Sequence, residues 1–260
     1  MITSRHNDLL KRARLLLRRR ARGEQGACLV EGPRPLSAVL AAGATIEAVL
    51  TYPDCGQPEL VSRLSAASPR WVECAPGLLD DILEAVTPQG IVAIVRAPDE
   101  SRLRAAPPAR LLVLDGVQDP GNVGTLLRTA DAVGAGVVLA GGCADPLAPK
   151  VVRASAGSLW RVPWLRTSAA EARNWLAELG RPVLVLDSGG GEDLFGGPWP
   201  WPLALVAGSE AHGPSPVWAD CRRIRLPMRP GADSLNVAVA AAVALYESVR
   251  QHGTGDDGAQ

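Results

Sequence analysis

The chain has 260 residues, 47 % of them apolar, and its 27 basic side chains balance 27 acidic ones. That length admits two modest domains or one large one, with apolar residues enough to bury a real core, so a soluble globular protein is expected. Zero net charge excludes nucleic-acid affinity spread over the whole surface; any such affinity must come from a local patch.

The five cysteines are scattered, odd in number and without a CxxC pair, which supports neither a zinc site nor a disulfide framework and fits a reducing cytoplasm. No apolar run reaches the roughly 20 residues that span a bilayer, and the basic N-terminus lacks the apolar stretch of a signal peptide. An arginine-rich, acid-poor start also mimics a mitochondrial transit peptide, but Leu9, Ala13, Leu16 and Leu17 form the buried stripe of an ordinary helix.

Residues 4–22 are predicted as that helix, capped by Ser4 or Asn7, with Arg5, Lys11, Arg12, Arg14, Arg18, Arg19, Arg20 and Arg22 opposed only by Asp8. This is the one basic patch, although a solvated surface is the commoner meaning of a single charge run. Strands are expected at 28–30, 46–50, 71–73 and 91–95, and helices at 33–42, 58–67 and 78–85, giving a small αβαβ domain. Pro98, Pro107 and Pro108 then punctuate a polar stretch that reads as a linker.

After it come a buried strand (111–114), a Gly/Pro/Asn turn (115–124), a helix (125–133) and a second buried strand (137–140). This βαβ unit commits the domain to a parallel α/β fold. A short helix at 149–155 carries Lys150 and Arg153, cations that oppose the macrodipole at a helix N-terminus and invite a phosphate. Strands follow at 162–165, 183–186, 203–207 and 222–225, with a helix at 169–179 and a long one from Ser234 to about Arg250. Trp199 and Trp201, between prolines in the loop 188–202, read as anchors packed on the core before they read as platforms for a base. Residues 252–260 are polar and expected to fray.

Several chemistries have no carrier. There is no GxGxxG or GxxxxGK[ST] loop, no GxSxG elbow and no HExxH, and His6, His212 and His252 lie near the termini or in a turn. What remain are three loops that follow strands and would meet at one edge of the sheet: PGNVGTLLR (120–128), AGSEAHG (207–213) and LPMRPGADSLNVAVA (226–240). Taken singly they are weak, since Gly208 turns a chain and Ser234 caps a helix. Asn236 stands out as a polar residue in an otherwise apolar first turn, where it needs a partner.

Together and in this order the three motifs resemble the SpoU/TrmH family of RNA ribose 2′-O-methyltransferases in the SPOUT superfamily, over residue 111 to about 250. The start ITSRHNDLLK and the segment GACLVEGPRPLSAVLAAG look like the family's L30-like substrate-binding domain. The resemblance implies an α/β fold with a C-terminal parallel-sheet domain containing a trefoil knot, a smaller N-terminal α/β domain, a homodimer, S-adenosylmethionine as methyl donor and no metal. The expected domains are 1–97 for RNA binding, 98–109 as linker, 110–251 for methyl transfer and 252–260 as a flexible tail.

Carried over by position, Asn122, Arg128, Glu210, Ser234 and Asn236 match the family's catalytic positions, and Gly208, Leu226, Met228 and Leu235 its donor-binding loops. Arg12, Arg18, Arg19, Arg20, Lys150 and Arg153 would supply phosphate contacts. Ala238 stands where the family often has serine, and Leu226 where isoleucine is common. Methyl transfer is an in-line displacement that must orient two partners and stabilise an emerging alkoxide. Arginine stays protonated in proteins, which makes Arg128 a cation for the 2′-oxygen or a phosphate more than a base. The expected substrate is 23S ribosomal RNA ahead of transfer RNA, in the cytoplasm. A non-catalytic ribosome-assembly protein would keep the basic helix and lose the motif residues, and a Rossmann-type methyltransferase would leave the later motifs unexplained.

Overall fold

A computed structural model describes residues 1–53, 55–56, 58–66, 70–83 and 89–254. In chain order its elements are α1 (Asp8–Leu16), α2 (Arg19–Gln25), β1 (Ala27–Glu31), α3 (Pro33–Ala41), β2 (Ile46–Thr51), α4 (Pro58–Ala66), β3 (Arg70–Glu73), β4 (Ile91–Arg96), α5 (Ser101–Ala105), β5 (Arg110–Asp115), α6 (Pro120–Ala132) and β6 (Gly136–Ala140). There follow α7 (Pro149–Ser155), α8 (Ser158–Arg161), β7 (Trp164–Thr167), α9 (Ala169–Glu178), β8 (Val183–Leu186), β9 (Glu192–Asp193), β10 (Leu203–Gly208), β11 (Arg222–Arg225) and α10 (Val237–His252). They form two compact units: Met1–Pro98 with Asp145–Trp160, and Asp99–Ala144 with the described residues from Arg161 on.

The first unit holds a four-stranded sheet in the order β1-β4-β2-β3, with β4 antiparallel to both neighbours and β3 parallel to β2. Helix α1 lays Leu9, Leu10, Ala13 and Leu16 into its core. The single helix expected over 4–22 is two. Asn7 caps the first, its side chain accepting from the Leu9 N–H at 2.9 Å, and Arg18 takes an extended conformation before the second. The break turns Arg22 inward. Its guanidinium donates to the Leu16 and Leu17 carbonyls left over at the end of α1, at 2.9 and 2.8 Å, and pairs with buried Asp145 at 2.6 Å.

Asp145 brings its segment into this unit, against the expectation of one uninterrupted domain over 110–251. Arg153 on α7 pairs with Glu31 of β1 at 3.3 Å, and the Trp160 indole donates to the Arg96 carbonyl at 3.0 Å. The helix expected at 78–85 is a run of turns through Ile82, and residues 84–88 lie outside the described residues, as does Ala67 at the end of the helix expected at 58–67.

The second unit is a seven-stranded parallel sheet in the order β7-β6-β5-β10-β8-β11-β9. Its central strands β5, β6 and β10 are buried on both faces, which is why they read as largely continuous apolar runs instead of alternating ones. The stretch expected as a linker belongs here, because Leu103 of α5 is fully buried in the core. A Cβ on Gly136 would come within 2.5 Å of it. The last described residues are tied down further than their polarity implied. Buried Arg110 donates to the Ser248 hydroxyl, the Val133 carbonyl and the Gly253 carbonyl, and stands 5.1 Å from the Trp201 ring, which stacks on His252. Of the expected flexible tail, His252 closes α10 and residues 255–260 lie outside the described residues. Trp199 is buried, its backbone N–H donating to the Gln251 side-chain oxygen at 2.7 Å, an anchor and not a stacking platform.

Candidate active site

The first motif is helical where a turn was expected. Pro120 stands at the first position of α6, and the Asp119 carboxylate accepts from the Asn122 N–H at 2.8 Å, so the helix starts five residues early. Gly121, Asn122 and Gly124 therefore sit in its first turns. The Asn122 side chain reaches out of the helix in two directions: its Nδ2 donates to Glu210 Oε1 at 2.6 Å, and its Oδ1 accepts from Asn236 Nδ2 at 3.0 Å.

Asn236 has its partner, and it does two jobs. Helix α10 begins at Val237, with Asn236 as N-cap, its Oδ1 accepting from the Ala238 and Val239 N–H groups at 2.9 and 3.3 Å. Its oxygen serves the helix and its nitrogen serves Asn122, a division that fixes the amide's orientation. Ser234, three residues before the helix, is exposed in the loop and is not the cap.

Glu210 rides on a tight loop after β10. Ser209 and Gly213 exchange backbone hydrogen bonds at 3.1 and 2.8 Å, and the returning chain passes so close to Gly208 that a Cβ there would meet the Pro214 nitrogen at 2.2 Å. Asp115, buried at the end of β5, pins that return by accepting from the Ser215 N–H at 2.6 Å and the Trp218 indole at 3.0 Å. Sequence reasoning passed over Asp115. Its signal was a carboxylate closing an otherwise apolar strand, which must find donors when buried.

A cavity of about 310 Å³ opens at the carboxyl ends of β8, β10 and β11 and the start of α10. Its wall brings together Gly208, Glu210, Leu226, Met228, Ser234, Leu235 and Asn236 of the expected residues, and adds Asp187 and Arg225, which the sequence did not single out. This is the crevice where parallel sheets bind ligands. Arg128 does not line it. It is exposed on α6, six residues beyond Asn122 and so about 240° further round the helix.

Of the expected phosphate contacts, all in the first unit, Arg18 and Arg19 are exposed, and Arg20 pairs with exposed Glu24, one turn on. Arg12 is engaged internally, with Glu47 at 2.6 Å and Gln25 at 2.9 Å, and Arg153 is held by Glu31. Arg153 lies in the last turn of α7, not its start, so it does not oppose the macrodipole there, and its negative partner is a glutamate of the protein itself. Lys150 is exposed on the same helix.

The model of the SpoU rRNA Methylase family matches residues 109–246, and that of the MRM3-like substrate binding domain matches residues 7–93. The chain belongs to the SpoU rRNA methylase family. Among relatives of this SpoU protein, a 23S rRNA uridine 2′-O-methyltransferase of Streptomyces viridochromogenes is 34 % identical, with 98 % of this chain and 93 % of the relative covered. A 23S rRNA guanosine 2′-O-methyltransferase of Bacillus subtilis is 29 % identical, with 94 % and 97 % covered. The crystal structure of an AdoMet-bound rRNA methyltransferase from Sinorhizobium meliloti superposes with a TM-score of 0.83 at 29 % identity, covering 96 % of this chain and 97 % of that one. The three motif loops of the second unit all fall inside the SpoU match.

Proposed function

We propose that this site transfers a methyl group from S-adenosylmethionine to a ribose 2′-hydroxyl of 23S ribosomal RNA. The observation that carries the reading is the chain of hydrogen bonds Asn236–Asn122–Glu210, which joins all three motif loops beside the cavity. The cavity suits the donor: Leu226, Met228 and Leu235 offer an apolar wall to a flat base, and the loop at Gly208 brings backbone to the surface where a side chain has no room. Bound there, the donor supplies an electrophilic methyl group on a sulfonium.

The protein's part is orientation and charge. Asn122 fixes Glu210 through one carboxylate oxygen, so the carboxylate is set to accept a hydrogen bond from the incoming ribose hydroxyl. Arg128, whose guanidinium has no hydrogen-bond or ion-pair partner among the described residues, stabilises the 2′-oxygen as it gains charge. The relatives described above are named for a uridine and a guanosine, and ribose is what those substrates share. Calorimetry with S-adenosylmethionine, followed by labelled transfer to 23S, 16S and transfer RNA from an unmodified source, tests the reading. Incorporation into transfer RNA alone would contradict it.

Four finer statements belong to the same proposal. The first unit holds the RNA through Arg18, Arg19 and Arg20, and Lys150 adds to them. Arg12 and Arg153, spent on internal carboxylates, act through the fold. The protein works as a homodimer: Val239 and Tyr246, an apolar pair seven residues apart, are about half exposed on α10 and form a face for a second copy. It works in the cytoplasm, in keeping with free cysteines and a ribosomal substrate; no described helix is long and apolar enough to cross a membrane, and recovery in a membrane fraction would contradict this location.

A further inference from the structure

The three arginines of β11 are not treated alike. Arg222 pairs with Glu192 at 2.7 Å and Arg223 pairs with Asp187. Arg225 has no carboxylate partner among the described residues, although Asp193 lies opposite it in register on β9. That carboxylate accepts from the Phe195 N–H at 2.8 Å instead. Side chains two apart on a strand share a face, so Arg225 stands on the same side as Arg223, whose partner Asp187 is in the cavity wall. Arg225 itself is exposed and lines the cavity.

The charges in that wall form a small set. Among its lining residues the charged ones are Asp187, Glu210 and Arg225, two acids and one base. Asp187 is already paired with Arg223 and Glu210 is held by Asn122, so Arg225 is the charge of that wall with no charged partner among the described residues, and S-adenosylmethionine brings one carboxylate. A guanidinium at a cavity that a ligand will desolvate needs an anion when the ligand arrives, and its planar fork fits a carboxylate better than any other common anion except phosphate.

We propose that Arg225 recognises the carboxylate of the donor's methionine portion and so makes the site selective for the intact amino acid. The proposal rests on the reading that the cavity holds S-adenosylmethionine, and assigns one of its walls. Arg229 is the natural control: it is exposed, its side chain has no hydrogen-bond or ion-pair partner among the described residues, and it stands four positions along without lining the cavity.

The test is calorimetric titration of the full chain with S-adenosylmethionine and with decarboxylated S-adenosylmethionine, which lacks only the carboxylate. The wild type should prefer the intact donor by about ten- to a hundredfold, the range of a hydrogen bond between charged groups. Arg225→Gln should bind the two alike, losing affinity for the intact donor alone, while Arg229→Gln keeps the wild-type preference. An Arg225→Gln protein that retains the preference, or that weakens both donors equally, would overturn the assignment. So would unchanged donor discrimination with a raised KM for RNA, which would give the guanidinium to a phosphate of the substrate. A wild type that binds neither donor would overturn the reading of the cavity and the role of Arg225 with it.

Discussion

Arg128 and Asn122 divide the work at the scale of single residues. Asn122 is tied at both ends of its amide, to Glu210 and Asn236, whereas Arg128 has no hydrogen-bond or ion-pair partner among the described residues and does not line the cavity. The role proposed for it is on the RNA and not on the donor. Arg128→Ala is therefore expected to lower kcat about a hundredfold or more, the usual cost of removing a group that stabilises developing charge, with the donor Kd held within about twofold. Single-turnover transfer beside calorimetry measures both, and a large loss of donor affinity would remove Arg128 from its role. The thiols offer a separate check on burial. Desolvation pushes Cys28 up to about 12 and Cys143 up to about 11. At pH 8 both should resist alkylation in the native protein and react once it is unfolded, and rapid native labelling of either would contradict its burial.

Elements decide whether those residues meet. Asn236 is both the cap of α10 and the donor to Asn122, and substitution separates the two functions. Serine caps nearly as well as asparagine, whereas alanine costs about 1 kcal/mol. Asn236→Ser should keep the melting temperature of the wild type yet lose about tenfold in transfer rate with the bond to Asn122, and Asn236→Ala should lose both. An Asn236→Ser protein with full activity would show that capping is all the residue does.

The same elements show what the sequence could carry. The buried parallel strands were legible, because an uninterrupted apolar run between turn signals has few other readings. The need of Asn236 for a partner was legible too, but the partner is 114 positions away and no local pattern names it. The start of α6 was misplaced because Pro-Gly-Asn reads as a turn, although Asp followed by Pro is equally the signature of a capped helix. The basic stretch at the N-terminus read as one helix because its break depends on Arg22 finding Asp145, 123 positions on.

For the whole molecule, zero net charge puts the burden of RNA binding on a few side chains. The arginines at the start of α2 are exposed, while Arg22 in the same run is buried in its ion pair. Replacing Arg18, Arg19 and Arg20 together should weaken RNA binding and flatten its logarithmic salt dependence by about 2 to 3 units, with donor affinity unchanged. An unchanged slope would return this face to ordinary solvated surface. The proposed homodimer is checked by sedimentation: the wild type should run as two chains and a Val239→Glu, Tyr246→Glu protein as one, whereas a wild-type species of single-chain mass would contradict it.

We propose that three loops of the second unit assemble one centre for ribose methylation. The most direct test is to incubate the enzyme with labelled S-adenosylmethionine and unmodified 23S ribosomal RNA, then digest the product with alkali. The label should appear in a single alkali-resistant dinucleotide, since a methylated 2′-oxygen cannot assist cleavage of its own phosphodiester. Label released entirely as mononucleotides would mean that the methyl group goes to a base, and the assignment of Asn122, Arg128 and Glu210 to a ribose hydroxyl would be wrong.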